Sequence, residues 1–342
     1  MNLADLNKIA LAMVTPGKGI LAADESSGTI KKRFDAIKVE STEESRRDYR
    51  EMLFRSGEAM SKYISGVILY DETIWQNAKD GKPLVRLIEA SGAIPGIKVD
   101  EGTQALPNCP GELATIGLDK LAERLKKYYE RGARFAKWRA VIDIAGGNIP
   151  SMTAIHVNAH ALARYAALCQ AAQIVPIVEP EVLMDGDHDI DRCYEATSRV
   201  LNKTFQELRA QRVALEGMIL KPNMAIAGKK SSKHASVEEV AEKTIRLLKA
   251  CVPAAVPGIA FLSGGQSDEE ATAHLNAMNR TSGLPWRLTF SYGRALQAAP
   301  QKAWSGKPDN LAAGERAFTH RARMNALASK GEWETGLEKK AA

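Results

Sequence analysis

A single closed barrel of eight parallel β-strands with helices between them is the fold this sequence predicts, and three observations predict it. Eight short apolar runs recur along the 342 residues, each ending in polar residues and apolar on both faces, as buried parallel strands are. Patterns of helical period lie between those runs. No linker rich in Pro, Gly or Ser and no low-complexity segment divides the chain, so one domain over 1–342 is expected, with a short helical tail over about 300–342.

The runs, in order, are GILAAD (19–24), GVILYDE (66–72), GIKVDEG (96–102) and ARFAKWR (133–139), then IVPIVEPE (174–181), GMILKPN (217–223), GIAFLSGG (258–265) and RLTFSYG (287–293). Each reads as a strand because it is short, apolar and bounded by turn-forming or charged residues. Between the third and fourth, Leu118, Leu121 and Leu125 recur at helical spacing before Gly132. After the sixth, Val237, Val240, Ala241, Thr244 and Leu248 mark another helix. Two helix starts carry the S-x-x-E capping-box pattern, Ser236 with Glu239 and Ser267 with Glu270. An open doubly wound sheet would carry a G-x-G-x-x-G turn after its first strand, and no such turn follows GILAAD.

Composition narrows the function classes. The hydrophobic fraction of 45% supplies a large core, yet no stretch approaches the roughly 20 uninterrupted apolar residues of a membrane span. The start MNLADLNKIALAMVTPGKG lacks a basic segment followed by an apolar one and a cleavage site, so a cytoplasmic protein without a membrane partner is expected. Cys109, Cys169, Cys193 and Cys251 lie far apart with no CxxC pair, which argues for reduced thiols rather than a disulfide framework or a zinc knuckle. Lys and Arg total 47 against 41 Asp and Glu, a surplus of +6 that suits anionic small molecules. The basic runs Lys31–Arg33 and Lys229–Lys233 are not interleaved with aromatics for base stacking, so no nucleic-acid partner is expected.

The chemistry centres on Lys221. It closes an apolar strand, with Pro222 directly behind it, and so points into a pocket. An amine held partly desolvated near other cations is pushed towards its neutral form and can attack a carbonyl to form a Schiff base. In a barrel, alternate side chains face inward and strand C-termini face the mouth. By that spacing Lys137 shares a face with Arg139, Glu179 with Glu181, and Lys221 with Asn223, while Asp24 closes the first strand. A neighbouring cation eases loss of the amine proton, and a carboxylate carries protons during imine formation and bond cleavage. The seventh and eighth runs end in FLSGGQS and FSYGRALQ, where glycines, the helix start at Ser267 and Arg294 suit a phosphate. His156 and His160 have the spacing of a zinc pair, but Val157 stands where a glutamate is expected, and no metal or other cofactor is expected. Asp185, Asp187 and Asp189 mimic a calcium loop whose glycine and closing glutamate are replaced by Ile190 and Ala196, so they read as an acidic surface loop.

With those residues assembled, the chain closely resembles the class I fructose-bisphosphate aldolases, the metal-independent kind that works through a lysine Schiff base. The blocks GILAADES, GIKVD, FAKWR, PIVEPE, DGDHD, LKPNM, FLSGGQS and FSYGRALQ stand in the family's order over nearly the whole chain. The resemblance implies a TIM barrel, usually a homotetramer, that reversibly splits fructose 1,6-bisphosphate into dihydroxyacetone phosphate and glyceraldehyde 3-phosphate. It implies that Lys221 forms the imine, that Glu179 is the general acid and base, and that Asp24 and Lys137 assist at the reacting carbons, with Arg139 and Glu181 in support. For the ketose-derived phosphate it points to Arg33, Ser263, Gly264, Gly265, Ser291, Gly293 and Arg294, and for the other phosphate to Ser26, Thr29 and Lys98. Animal members end in a tail closing with a tyrosine that helps protonate the enamine, whereas this sequence ends in GLEKKAA. The expected consequence lies in the rate of enamine protonation and in the preference for the bisphosphate over fructose 1-phosphate.

Overall fold

The computed structural model describes residues 2–340; Met1 and the last two residues of the GLEKKAA ending lie outside the described part. Among the described residues ten strands form: β1 (Gly19–Ala23), β2 (Ile64–Leu69), β3 (Ile94–Lys98), β4 (Thr103–Ala105), β5 (Leu113–Thr115), β6 (Phe135–Ile142), β7 (Val175–Val182), β8 (Ile219–Leu220), β9 (Gly258–Phe261) and β10 (Arg287–Tyr292). Eight of them close a parallel barrel in the order β1-β10-β9-β8-β7-β6-β3-β2, with Ile20 opposite Ser291 completing the circle. Every one of the eight expected runs is a barrel strand. The two left over, β4 and β5, pair as an antiparallel hairpin between β3 and β6. The hairpin escaped the sequence reading because β4 is fully exposed and therefore carries no apolar signal.

The helices fall between and around the strands: α1 (Leu3–Met13), α2 (Ser27–Ala36), α3 (Glu43–Arg55), α4 (Gly57–Lys62), α5 (Asp71–Trp75), α6 (Leu84–Ala90) and α7 (Leu121–Arg131) in the first half. The second half holds α8 (Met152–Ala171), α9 (Ile190–Ala210), α10 (Val237–Cys251), α11 (Asp268–Asn279), α12 (Arg294–Trp304) and α13 (Leu311–Ala328). Leu118 lies outside α7, packed against the core from the preceding loop. The expected tail boundary near 300 falls within α12, so the segment beyond the barrel starts after Trp304. It is no loose end. Phe318 and Ala322 of α13 are fully buried, and Glu338 anchors the last turn to Arg321 (2.6 Å), His320 (2.9 Å) and the Trp333 indole (3.0 Å).

Two apolar layers position the site. The larger fills the space between strands and helices, as in any βα barrel. The smaller lies inside the barrel, where Ile20 and Ala22, Phe135, Val175 and Ile177, Ile219 and Ala260 meet Leu6, Ala10 and Met13 of α1. Helix α1 thus plugs the N-terminal end. Gly96 makes this floor possible, because a Cβ there would stand 2.2 Å from the Phe135 ring. Following the same inward faces two residues at a time towards the other end gives Ile20, Ala22, Asp24; Phe135, Lys137, Arg139; Ile177, Glu179, Glu181; and Ile219, Lys221. On these four strands the interior changes from hydrocarbon to charge within one residue pair, so the C-terminal mouth is the end built to receive a polar ligand.

Candidate active site

Lys221 is held by its neighbours rather than by a long strand. The regular ladder of β8 ends at Leu220, but the Lys221 amide still donates to the Val178 carbonyl at 2.8 Å, and Pro222, with no N–H to donate, still accepts from the Leu262 amide at 3.2 Å. Beyond that point the alternation stops. Asn223 was expected on the same face as Lys221, but its side chain accepts from the Val182 amide at 3.0 Å and donates to Thr197 of α9 at 3.1 Å, outside the barrel mouth.

At the head of the apolar interior, four charges alternate in a chain. Lys221 Nζ lies 3.1 Å from Glu179 Oε1, Glu179 Oε2 lies 3.1 Å from Lys137 Nζ, and Lys137 Nζ lies 2.8 Å from Asp24 Oδ2. Lys221, Glu179 and Lys137 are buried and Asp24 nearly so. Burial by itself would raise both carboxyls, but Lys137 and then Lys221 outweigh it, so Glu179 is held below its ordinary value and Asp24 is held at about 2. Burial would likewise strip the proton from Lys137, yet Asp24, Glu179 and Asp100 overcome it and push this amine above its ordinary value. The two lysines are therefore unequal. Lys137, clamped between two carboxylates, is a locked cation, whereas Lys221 touches one.

A second ring of charge surrounds the first. Arg139 stands across from Glu179 in the ladder and pairs with Glu181, and burial of this arginine is outweighed by Glu181, which raises it. Lys98 pairs with Asp100 at 2.7 Å, and Asp100 also accepts from the Arg139 amide at 3.3 Å. Arg33 pairs with the buried Glu25, to which Gln297 donates at 2.7 Å. Arg50, 1% exposed, fixes the Glu25 carbonyl at 2.9 Å and Thr73 at 2.6 Å. Glu25, Asp100 and Arg50 were missed by the sequence reading. Asp100 could have been found, since it lies two residues beyond Lys98 on the same inward face; Arg50 has no local signal, sitting in mid-helix among other charges.

The mouth opens into a cavity of about 950 Å³ lined by Asp24, Lys137, Arg139, Lys98, Arg33 and Gly293, and Ser26 and Thr29 border it too. Ser26 also caps α2, accepting from the Thr29 amide at 3.4 Å. A second cavity of about 640 Å³ is lined by Gly265, Ser267, Arg294 and Lys229. The residues expected for the ketose phosphate thus divide, with Arg33 and Gly293 on the first cavity and Gly265 and Arg294 on the second. Ser263 and Ser291 are buried between these loops, and the Ser291 hydroxyl has no partner among the described residues. Gly264 is closely surrounded, since a Cβ would stand 3.0 Å from the Met184 methyl and 3.1 Å from Glu181 Oε1. Backbone there can approach a ligand closely.

The histidine pair belongs elsewhere. His156 and His160 of α8 direct Nδ1 at Glu207 of α9, at 3.3 and 3.0 Å. Of the three aspartates, Asp189 caps α9 by accepting from the Arg192 amide at 2.8 Å, and Asp185 pairs with Lys229 at 2.7 Å.

Comparison with known proteins gives the family. The family model described as fructose-bisphosphate aldolase class-I matches residues 5–342. A probable fructose-bisphosphate aldolase class 1 of Xanthomonas campestris pv. campestris is 56% identical over 335 residues, covering 98% of this chain and 100% of that protein. The cytosolic fructose-bisphosphate aldolase 4 of Arabidopsis thaliana is 54% identical over 321 residues, 94% of this chain and 81% of that protein. Among solved structures, the fructose-bisphosphate aldolase of Plasmodium falciparum, crystallised with TRAP and a small-molecule inhibitor, superposes with a TM-score of 0.94 at 48% identity, covering 98% of this chain and 96% of that one.

Proposed function

We propose, from the premise that this chain belongs to the class I fructose-bisphosphate aldolase family, that Lys221 is its imine-forming amine. The protein is an aldehyde-lyase that reversibly cleaves fructose 1,6-bisphosphate into dihydroxyacetone phosphate and glyceraldehyde 3-phosphate. One observation carries the assignment of roles: of the two lysines at the floor of the mouth, one is locked as a cation by two carboxylates and the other faces a single carboxylate at 3.1 Å.

In this reading the ionised Glu179 takes a proton from the Lys221 nitrogen as the amine adds to the C2 carbonyl, returns that proton to the carbinolamine hydroxyl so that water leaves, and the resulting iminium draws electrons from the C3–C4 bond. A carboxylate of the pair Glu179 and Asp24 accepts the C4 hydroxyl proton. The bond breaks, glyceraldehyde 3-phosphate departs, and the electron pair rests in an enamine on Lys221. Protonation at C3 and hydrolysis return the amine and release dihydroxyacetone phosphate. Lys137 stays charged throughout and keeps both carboxylates ionised at the start, while Arg139 and Glu181 brace the wall beside them. Arg33, Ser263, Gly264, Gly265, Ser291, Gly293 and Arg294 hold the ketose-end phosphate; Ser26, Thr29 and Lys98 hold the other. Anchoring both ends sets the C3–C4 bond against the acid–base pair.

The test is to add dihydroxyacetone phosphate and borohydride with a chelator present and to map the adduct by peptide mass. An adduct on Lys221, absent in Lys221→Met, supports the reading; an adduct on Lys137, or none, sinks it. Glu179→Gln should lower kcat by about 10²–10⁴-fold, the range for removing a positioned acid–base group. A cytoplasmic homotetramer is the proposed setting. The cytosolic relative supports the compartment and the family resemblance the tetramer; fractionation checks the first and sedimentation velocity the second.

A further inference from the structure

Lys229 has no part in the roles assigned above, yet its surroundings give it one. Its backbone is tied to the loop after β7, with the Lys229 amide donating to the Met184 carbonyl at 2.8 Å and the Lys230 amide to the Gly186 carbonyl at 3.0 Å. From that fixed base the side chain crosses the SGG loop, its Cε 3.2 Å from where a Cβ on Gly265 would stand, and it lines the cavity shared with Gly265, Ser267 and Arg294. Its ammonium ends 2.7 Å from Asp185, which lines the neighbouring cavity with Asp24 and Lys137. Lys229 therefore stands on the rim between the two cavities that divide the phosphate-binding residues.

We propose that Lys229 is a specificity-determining cation for the ketose-end phosphate, and that Asp185 holds it in reserve until that phosphate arrives. This rests on the assignment of the SGG loop and Arg294 to that phosphate. The energetics favour exchange. The side chains of Lys229 and Asp185 are 43% and 60% exposed, and ion pairs so open to water contribute about 0–1 kcal/mol. A phosphate dianion clamped by backbone amides and Arg294 carries two charges against the single charge of Asp185, and is the stronger acceptor for the ammonium. Asp185 has a second effect, since its unpaired charge beside the mouth repels the incoming anion once Lys229 has left it.

The two partners therefore have opposite effects on anion binding, which a purely structural pair would not. Lys229→Met should raise the KM for fructose 1,6-bisphosphate, the KM for dihydroxyacetone phosphate and the inhibition constant of inorganic phosphate by about fivefold, the equivalent of one charge-assisted bond of about 1 kcal/mol. The larger share of the loss falls on KM, Lys229→Arg restores most of it, and the KM for glyceraldehyde 3-phosphate in the condensation direction stays as it was. Asp185→Asn should move the phosphate inhibition constant the other way, downward by about twofold. Shifts of both variants in the same direction would mean that the pair merely holds the loop, and would overturn the proposal. So would an unchanged inhibition constant in Lys229→Met while wild-type protein still forms the Lys221 adduct. Wild-type protein that forms no such adduct overturns the aldolase roles and this inference with them.

Discussion

The alternation Lys221, Glu179, Lys137, Asp24 puts two amines and two carboxylates within about 3 Å contacts of one another, each carboxylate sharing at least one lysine. In such a chain the end members differ from the middle ones, and this is what separates Lys221, which faces one carboxylate, from Lys137, which faces two. Asp24 is the other end. Its carboxyl sits at about 2 in the fold against 3.8 for a free aspartate, because Lys137 and its neighbours outweigh burial. A depressed carboxyl contributes stability above its unfolded value and loses it as pH falls through its folded value. The contribution should be about 2 kcal/mol at neutral pH and should vanish between pH 4 and pH 2. Urea midpoints measured down that window should fall less steeply in Asp24→Asn than in wild type; parallel curves would show that the coupling to Lys137 is absent.

Helix starts show how local code and tertiary demand interact. Both S-x-x-E sites begin helices, but they are not equivalent. At α11 the box closes in both directions, with Glu270 reaching back to the Ser267 amide at 2.8 Å, whereas at α10 Ser236 caps at 3.2 Å and Glu239 turns instead to Lys243 at 3.2 Å. Lys243, one turn on and also paired with Asp191 of α9, competes for the same carboxylate. Helix α11 also steadies the SGG loop through His274, which is 7% exposed and bonds Gln266 at 2.7 Å. Burial holds this imidazole near 4, against the weaker upward pull of Glu270 and Glu238. Neutral His274 is thus the form the fold selects, and stability should decline as pH drops from about 6.5 towards 4, where only the unfolded chain takes up the proton. In His274→Asn an amide oxygen can replace Nδ1 as acceptor and does not titrate. Its urea midpoint should match wild type at pH 7 and exceed it at pH 5; equal midpoints at both would remove His274 from this role.

On the scale of the whole molecule, closure of the barrel and the plug of α1 decide where polar chemistry can occur. The floor depends on an aromatic ring lying over a strand with no side chain at that point. Gly96→Ala forces a methyl to 2.2 Å from Phe135, and overpacking of this kind costs about 1–3 kcal/mol. The cost should appear as a lowered urea midpoint and should shrink when combined with Phe135→Leu, whose smaller side chain yields the space. Additive losses in the double variant would mean that the strain lies elsewhere.

Read along the chain, apolar runs of six to eight residues were enough to place all eight barrel strands, since a strand buried on both faces must be apolar and its period of two carries its last polar residues inward. Lys221, Glu179, Lys137, Arg139 and Asp24 were legible for that reason: Lys137, Arg139 and Glu179 lie on the inward faces of β6 and β7, and Asp24 and Lys221 directly follow the ends of β1 and β8. Where the strand ended, legibility ended too, as Asn223 shows by facing α9 rather than the mouth. The residues that escaped do their work across the fold. Arg50 reaches Glu25 from α3, Gln297 reaches it from α12, and Lys229 meets Gly265 only because two loops from different strands are laced together. Local pattern determined the strands, their inward faces and the family to which the chain belongs; tertiary structure alone decided which of two buried lysines is locked as a cation, because that depends on how many carboxylates close around each in space, a count that sequence separation does not carry.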